Sequence, residues 1–325
     1  MKKDVVALGE LLIDFTDNGI SDQGNPVMEA NPGGAPCNVL AMLTKLGHST
    51  SFIGKVGNDM FGTQLEDALK EVGIGTEGLV KDDKIHTTLA FVHTFPDGDR
   101  DFSFYRNPGA DMMLSENEIN EELISNSRIF HFGSLSMTSE PAKSATIKAL
   151  DIAEKSGSII SFDPNLREPL WESLEDAKRE ITYGLSWCDI LKISDNEIIW
   201  FTGEEDFDKG VNKLWEQFPD IKMILVSMGR DGSSCYQKVE GQHSADVQVR
   251  KVTVEAFIQK NTIETTGAGD TFCAGILHYV LKNGLKIYTE EEMKEMLSFA
   301  NAAASIVTTR KGALRVMPDM EEIIY

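Results

Sequence analysis

The chain has 325 residues, enough to bury a large core as one α/β domain. Its 52 acidic against 31 basic side chains leave a formal charge of −21, which speaks against a nucleic-acid or anionic-membrane partner. No run of roughly 18 apolar residues occurs, Met1-Lys2-Lys3-Asp4 leads straight into a strand-like segment, and Cys37, Cys188, Cys235 and Cys273 are scattered without a CxxC pair; a reduced, cytoplasmic protein without signal or membrane span is expected.

In chain order, Val5-Val6-Ala7-Leu8-Gly9 reads as a buried strand of a parallel sheet, followed by Leu11-Leu12-Ile13-Asp14-Phe15. Asp14 falls just past the carboxyl end of a first strand, where open α/β sheets bind ligands, although a turn or capping Asp would look the same. Residues 16–32 are turn-rich and predict short edge strands outside the main sheet. Asn31-Pro32-Gly33-Gly34-Ala35-Pro36-Cys37-Asn38 then opens a helical pattern. The paired glycines permit close backbone approach to a ligand, and Pro36 suits a first helical turn.

Between His86 and Arg106 the apolar period changes to two, so 86–93 and 100–106 are expected as strands of a hairpin around Pro96-Asp97-Gly98-Asp99. With residues 14–32 it would make a small sheet standing off the main domain, a candidate lid whose other face could carry a dimer contact. His86 and His93 have no metal-like spacing and are expected in strands. Arg106 could be an ordinary ion-pair partner. The α/β rhythm resumes with a strand over 128–133, a helix over about 139–156 and a strand over 158–162. Pro164 ends that strand and gathers Asp163, Asn165 and Arg167 at its carboxyl end. Asp189–Ile193 is the next strand. Ser194 and Glu197 form a capping box for the helix after it, and 223–236 reads as a strand, a glycine turn and a strand.

Glu264-Thr265-Thr266-Gly267-Ala268-Gly269-Asp270-Thr271-Phe272 opens an apolar helix. The N–H groups of Gly267, Ala268 and Gly269 and the positive end of the helix dipole suit a phosphate or a developing oxyanion. Asp270, in the first turn beside them, can accept a proton from a hydroxyl, an arrangement suited to phosphoryl transfer to an alcohol. Close helix packing and an ordinary first-turn cap would produce the same triplet. An alanine-rich helix over 290–309 follows.

Gly267-Ala268-Gly269-Asp270-Thr271-Phe272 with Ala274-Gly275 resembles the C-terminal signature of the ribokinase-type (PfkB) carbohydrate kinases, and residues 33–62 resemble the N-terminal one. Tyr105-Arg106-Asn107-Pro108 and the segment from Asp163 point to the fructokinase branch. The resemblance runs from Val5 to Pro318. It implies a ribokinase-like α/β fold, a central mostly parallel sheet flanked by helices with a small β-sheet lid formed by about 14–32 and 86–107. It implies a cytoplasmic, ATP- and Mg²⁺-dependent sugar kinase, a homodimer through its lid, with D-fructose as the first expected acceptor. A kinase for another sugar, for 2-keto-3-deoxygluconate or for a nucleoside, and a catalytically silent sensor, are the alternatives. A Rossmann dehydrogenase is excluded because Glu10-Leu11-Leu12 stands where a glycine fingerprint would be.

Residue by residue, the resemblance makes Asp270 the base and the amides of Gly267, Ala268 and Gly269 the anion hole. It places Asp14, Gly33, Gly34, Asn38, Phe104, Arg106 and Arg167 at the sugar, and Lys192, Glu197, Ser227, Gly229, Gly232 and Asn301 at the nucleotide. Glu197 would organise Mg²⁺-bound water, although Ser194 replaces the family's Asn before it. Glu264, Thr266 and Gly312 would border a monovalent-cation (K⁺) site, with Glu264 standing where the family usually has Asp.

Overall fold

The structure, a computed structural model, describes residues 2–94, 100–240 and 247–325. In chain order its strands and helices are β1 (Lys3–Leu8), β2 (Leu12–Ile20), β3 (Pro26–Gly33), α1 (Ala35–Lys45), β4 (Thr50–Gly57), α2 (Met60–Val72), β5 (Gly75–Asp82), β6 (Leu89–Thr94), β7 (Arg100–Tyr105), α3 (Glu121–Ser125), β8 (Ser127–Gly133), α4 (Ala142–Lys155), β9 (Ile159–Asp163), α5 (Leu174–Leu185), β10 (Ile190–Ser194), α6 (Asp195–Thr202), α7 (Phe207–Gln217), β11 (Met223–Ser227), β12 (Ser233–Glu240), β13 (Val247–Val254), α8 (Ala268–Asn283) and α9 (Glu290–Val307).

Nine strands form one sheet in the order β13-β12-β11-β10-β9-β8-β1-β4-β5. Seven of them, from β11 through β5, are parallel; β12 and β13 add antiparallel at one edge. Val5 to Leu8 of β1 are fully buried, as expected for a strand covered on both faces. One apolar core joins the sheet to α1, α2, α8 and α9. The other joins it to α4, α5, α6 and α7. The sheet is therefore the middle layer of three.

The winding reverses at β1, which pairs β4 on one side and β8 on the other. In open α/β sheets a reversal of this kind leaves a crevice at the carboxyl ends of the strands. Asp14, Asp163, Ser194 and Ser227 all lie at or just past such ends.

A second sheet of four strands, order β3-β2-β6-β7, stands apart. It is two antiparallel hairpins joined by the parallel pair β2 and β6, with Asp14 opposite Ala90. Its strands cover 12–20, 26–33, 89–94 and 100–105. The turn expected at Pro96–Asp99 lies outside the described residues. His86, expected within a strand, precedes β6; it is exposed, with its Nδ1 3.4 Å from an oxygen of Asp59, which caps α2. The Ser194–Glu197 capping box is present, with both reciprocal bonds made at the start of α6.

Candidate active site

The crevice is a cavity of about 910 Å³ lined by residues from both sheets and from α1, α8 and α9. At its centre is the start of α8. Gly267 is the N-cap with φ of 78°, a left-handed conformation that glycine adopts without strain. Asp270, one turn in, lines the cavity and is buried, and Asn38 Nδ2 donates to its Oδ2 at 2.7 Å. Burial raises the Asp270 carboxyl above the usual range, while the Asn38 hydrogen bond and the charges of Lys192 and Arg167 resist that rise. Asn38 is buried in turn, and its Oδ1 has no partner among the described residues. The carboxylate is thus oriented from one side and open on the other.

The anion hole differs from expectation in one member. The Ala268 amide donates to the Thr265 carbonyl at 3.2 Å, closing the turn, so it is already committed. The amides of Gly267 and Gly269 have no partner among the described residues.

On the β1 side, Asp14, Gly34, Asn38, Phe104 and Arg167 line the cavity. Gly33 does not; it lies behind Asp14, where a β-carbon would collide with Asp14 Oδ2. Gly34 has φ of 134°, and a β-carbon there would strike the carbonyl of Glu10. Asp14 is pushed up to about 7 by burial and by the nearby charges of Glu264 and Asp270, against the pull of Arg167. Arg106 is a correction. It does not line the cavity: Nε donates to Asp111 at 2.7 Å, Nη1 to Thr138 at 3.1 Å and Nη2 to the Leu135 carbonyl at 3.0 Å. It is a buried brace that holds Leu135, itself a lining residue, from behind.

On the β10–β11 side, Lys192, Glu197, Ser227, Gly229, Gly232 and Asn301 line the cavity. Two of them have every polar side-chain atom in a hydrogen bond within the protein. Glu197 accepts from Ser194 through one oxygen and from the Leu166 amide, at 2.7 Å, through the other. Asn301 accepts from Ser233 at 2.9 Å and donates to the carbonyls of Val254 and Glu255 at 3.2 Å each, so it ties the end of β13 to α9. The expected cation set is brought together differently from a cage: Glu264 accepts from the Thr266 hydroxyl and, at 3.2 Å, from the Gly312 amide. Gly312 itself is not a lining residue.

Glu10 was missed by sequence reasoning, and its signal was a carboxylate set between buried apolar runs. It is only 4% exposed, it lines the cavity, and its Oε1 accepts the Ala35 N–H at 2.8 Å, capping α1 where Gly34 has no side chain to do so. Burial pushes its carboxyl from an ordinary 4.5 up to about 7, against the amide hydrogen bonds that favour its charge. A carboxylate with a raised folded value is favoured protonated in the fold, so its stability contribution falls as pH rises from about 4.5 to about 7. Glu10→Gln keeps the carbonyl acceptor and removes the titration. Denaturant unfolding should therefore show the variant gaining roughly 2 kcal/mol more over wild type at pH 8 than at pH 5. An equal difference at the two pH values would contradict this account.

Known proteins share this arrangement of sequence and fold. The family model described as pfkB family carbohydrate kinase matches residues 2–320. Fructokinase-2 of Solanum lycopersicum is 40% identical over 324 residues, 98% of this chain and 94% of that one. The crystal structure of fructokinase with bound ATP from Xylella fastidiosa superposes with a TM-score of 0.86 at 29% identity, covering 99% of this chain and 97% of that one. Fructokinase from Vibrio cholerae O395, in a fructose-, ADP- and calcium-bound form, superposes with a TM-score of 0.85 at 25% identity, covering 99% and 98%. With its two-sheet ribokinase-like fold and a family match over nearly its whole length, the chain belongs to the pfkB family of carbohydrate kinases.

Proposed function

We propose that the chain is an ATP-dependent fructokinase that makes fructose 6-phosphate, with Asp270 as the general base. The observation that carries the reading is the convergence of the oriented, cleft-lining Asp270 carboxylate with the open amides of Gly267 and Gly269 at one helix mouth. The relatives that support the substrate are a fructokinase 40% identical and a fructokinase structure holding fructose and ADP.

In this reading Asp14, Gly34 and Asn38 hold the sugar, with Phe104 and Arg167 closing over it and Gly33 giving Asp14 room. Asp270 takes the proton of the primary hydroxyl as its oxygen attacks the γ-phosphorus, and ADP leaves. Proximity and orientation do the rest of the work. The Gly267 and Gly269 amides, backed by the α8 dipole, hold charge on the transferring group. Ser227, Gly229 and Gly232 bound the nucleotide phosphates. The four-stranded sheet acts as a lid that excludes water. Its exposed Ile20 and Tyr105 make it the proposed homodimer face; the cytoplasm is the proposed location.

Mg²⁺ fits as a partner of the nucleotide. Among the described residues no cluster of three or more carboxylate, histidine or cysteine side chains could hold a metal, and each Glu197 oxygen already accepts at least one hydrogen bond within the protein. The ion would therefore enter on phosphate oxygens, with water completing its shell, and screen their charge. Thr266 and Gly312 each donate a hydrogen bond to the Glu264 carboxylate, so no step is assigned to K⁺. A panel of fructose, ribose, 2-keto-3-deoxygluconate and nucleosides, read by coupled ADP release with and without K⁺, tests the reading. Fructose should give the highest kcat/KM by at least about tenfold, the effect of one well-placed hydrogen bond; a higher value for any other acceptor would overturn the substrate assignment.

A further inference from the structure

We propose that Lys192, held in place by Asp163, is a catalytic residue that binds the phosphoryl group during its transfer, and is not merely an anchor for bound nucleotide. The inference deepens the kinase reading and rests on it.

Lys192 interrupts an otherwise apolar strand. Its neighbours Ile190, Leu191 and Ile193 on β10 are at most 1% exposed, and a lysine among them carries a desolvation cost that a purely structural site would avoid. Its ammonium lies 3.0 and 3.2 Å from the two oxygens of Asp163, at the end of β9. The pair is lopsided. Lys192 lines the cavity, whereas Asp163 stands behind it and does not. A sealed ion pair would present neither.

Where the ammonium sits is the second observation. A β-carbon on Gly269 would lie 3.3 Å from Lys192 Nζ, so the ammonium sits beside Gly269, one of the two residues with an open amide at the mouth of α8, and both residues line the cavity. An ammonium carries three donors, and among the described residues Lys192 spends its hydrogen bonding on Asp163 alone. Burial works against its charge, but Asp163, Glu197 and Asp270 outweigh burial and keep it protonated. In a chain with a net charge of −21, an anion needs such a local cation. Arg167 is exposed, lies near Asp14 and Asp270, and donates to its own neighbour's carbonyl. Lys192 is thus placed to meet non-bridging oxygens of the phosphoryl group as it moves between the nucleotide and the sugar. Interactions stronger in the transition state than in the bound nucleotide raise turnover and leave affinity nearly unchanged.

The test is a split between turnover and binding. Lys192→Met should lower kcat by about 10²- to 10³-fold, the range for loss of one pre-organised donor, while KM for ATP and the calorimetric Kd for ADP stay within about threefold. Asp163→Asn should lower kcat less and bring loss of turnover on the basic side to lower pH than in wild type, because the ammonium loses its carboxylate partner; a purely structural role would leave the basic side of the kcat–pH profile unchanged. The double variant Lys192→Met, Asp163→Leu leaves neither partner of this pair buried alone and guards against a folding failure of the single one; with an unchanged melting temperature it should show the same turnover loss. A tenfold or larger rise in the ADP Kd with kcat within threefold of wild type would overturn the proposal in favour of a nucleotide anchor. Turnover that survives Lys192→Met but is lost in Asp270→Asn would overturn the Lys192 assignment and leave the kinase reading standing. Turnover that survives Asp270→Asn would remove the reading on which it rests.

Discussion

Asp270→Asn is expected to lower kcat by about 10²- to 10⁴-fold, the span typical of losing a general base, with the melting temperature unchanged or higher. The substitution is nearly isosteric. The Asn38 amide that now donates to Asp270 Oδ2 at 2.7 Å can donate equally to the carbonyl oxygen of an asparagine, so the helix mouth keeps its shape. What disappears is the capacity to accept a proton, and with it a buried carboxylate whose ionised form the surroundings resist. Removing a desolvated charge relieves the folded state, which is why stability should not fall. The pH dependence follows the same sign. Burial raises the Asp270 carboxyl, so the base is lost to protonation at a higher pH than for an exposed aspartate, and wild-type kcat should fall on the acid side with that limb absent in the variant. Steady-state rates across pH, beside thermal melts of both proteins, check it. Turnover within threefold of wild type would remove Asp270 from the chemistry.

The parts of this site that were legible in the sequence are those fixed by backbone demands. Gly267 at a left-handed N-cap, Gly34 against the Glu10 carbonyl, and an aspartate one turn into a buried helix each leave a mark within a few residues. The strand that Pro164 ends and the capping box at Ser194 are local in the same sense. What a linear reading does not convey is where a side chain spends its hydrogen bonds. Arg106 has the right sequence neighbours for a sugar contact, yet Asp111, five residues on, and Thr138 and Leu135, near α4, take its guanidinium. Asn301 and Glu197 reach the cavity wall with their polar atoms committed to partners elsewhere in the chain, and Ala268 closes its own turn. Glu10 shows the converse. It reads as an ordinary carboxylate after a glycine, and becomes a helix cap only because β1 and the start of α1 are brought side by side, 25 residues apart.

Asp14→Ala is the second large effect, and it should appear in the sugar, not in the nucleotide. Asp14 projects from β2, beside the crevice where the winding reverses at β1, and Gly33 clears the space that its carboxylate occupies. If it accepts from two sugar hydroxyls, it contributes two hydrogen bonds to a charged group, at roughly 1.5–3 kcal/mol each. Their joint loss predicts a fall in kcat/KM for fructose of about 10²- to 10⁴-fold, since each 1.4 kcal/mol or so is a factor of ten. KM for ATP should change by no more than threefold. Because burial and the charges of Glu264 and Asp270 push the Asp14 carboxyl up to about 7, part of the free enzyme carries it protonated at neutral pH. A protonated carboxyl accepts hydroxyl protons poorly, so the wild-type KM for fructose should rise as pH falls below about 7 and level off above it. Bound sugar hydroxyls favour the ionised form, so saturation with fructose should shift this titration to lower pH. In Asp14→Ala the dependence of KM on pH near 7 should vanish along with the affinity. If instead the variant kept its fructose KM within threefold, or kept the same pH dependence, the hydroxyls would have to be held by groups other than this carboxylate, with Asn38 and Glu10, also on the cavity wall, as alternatives.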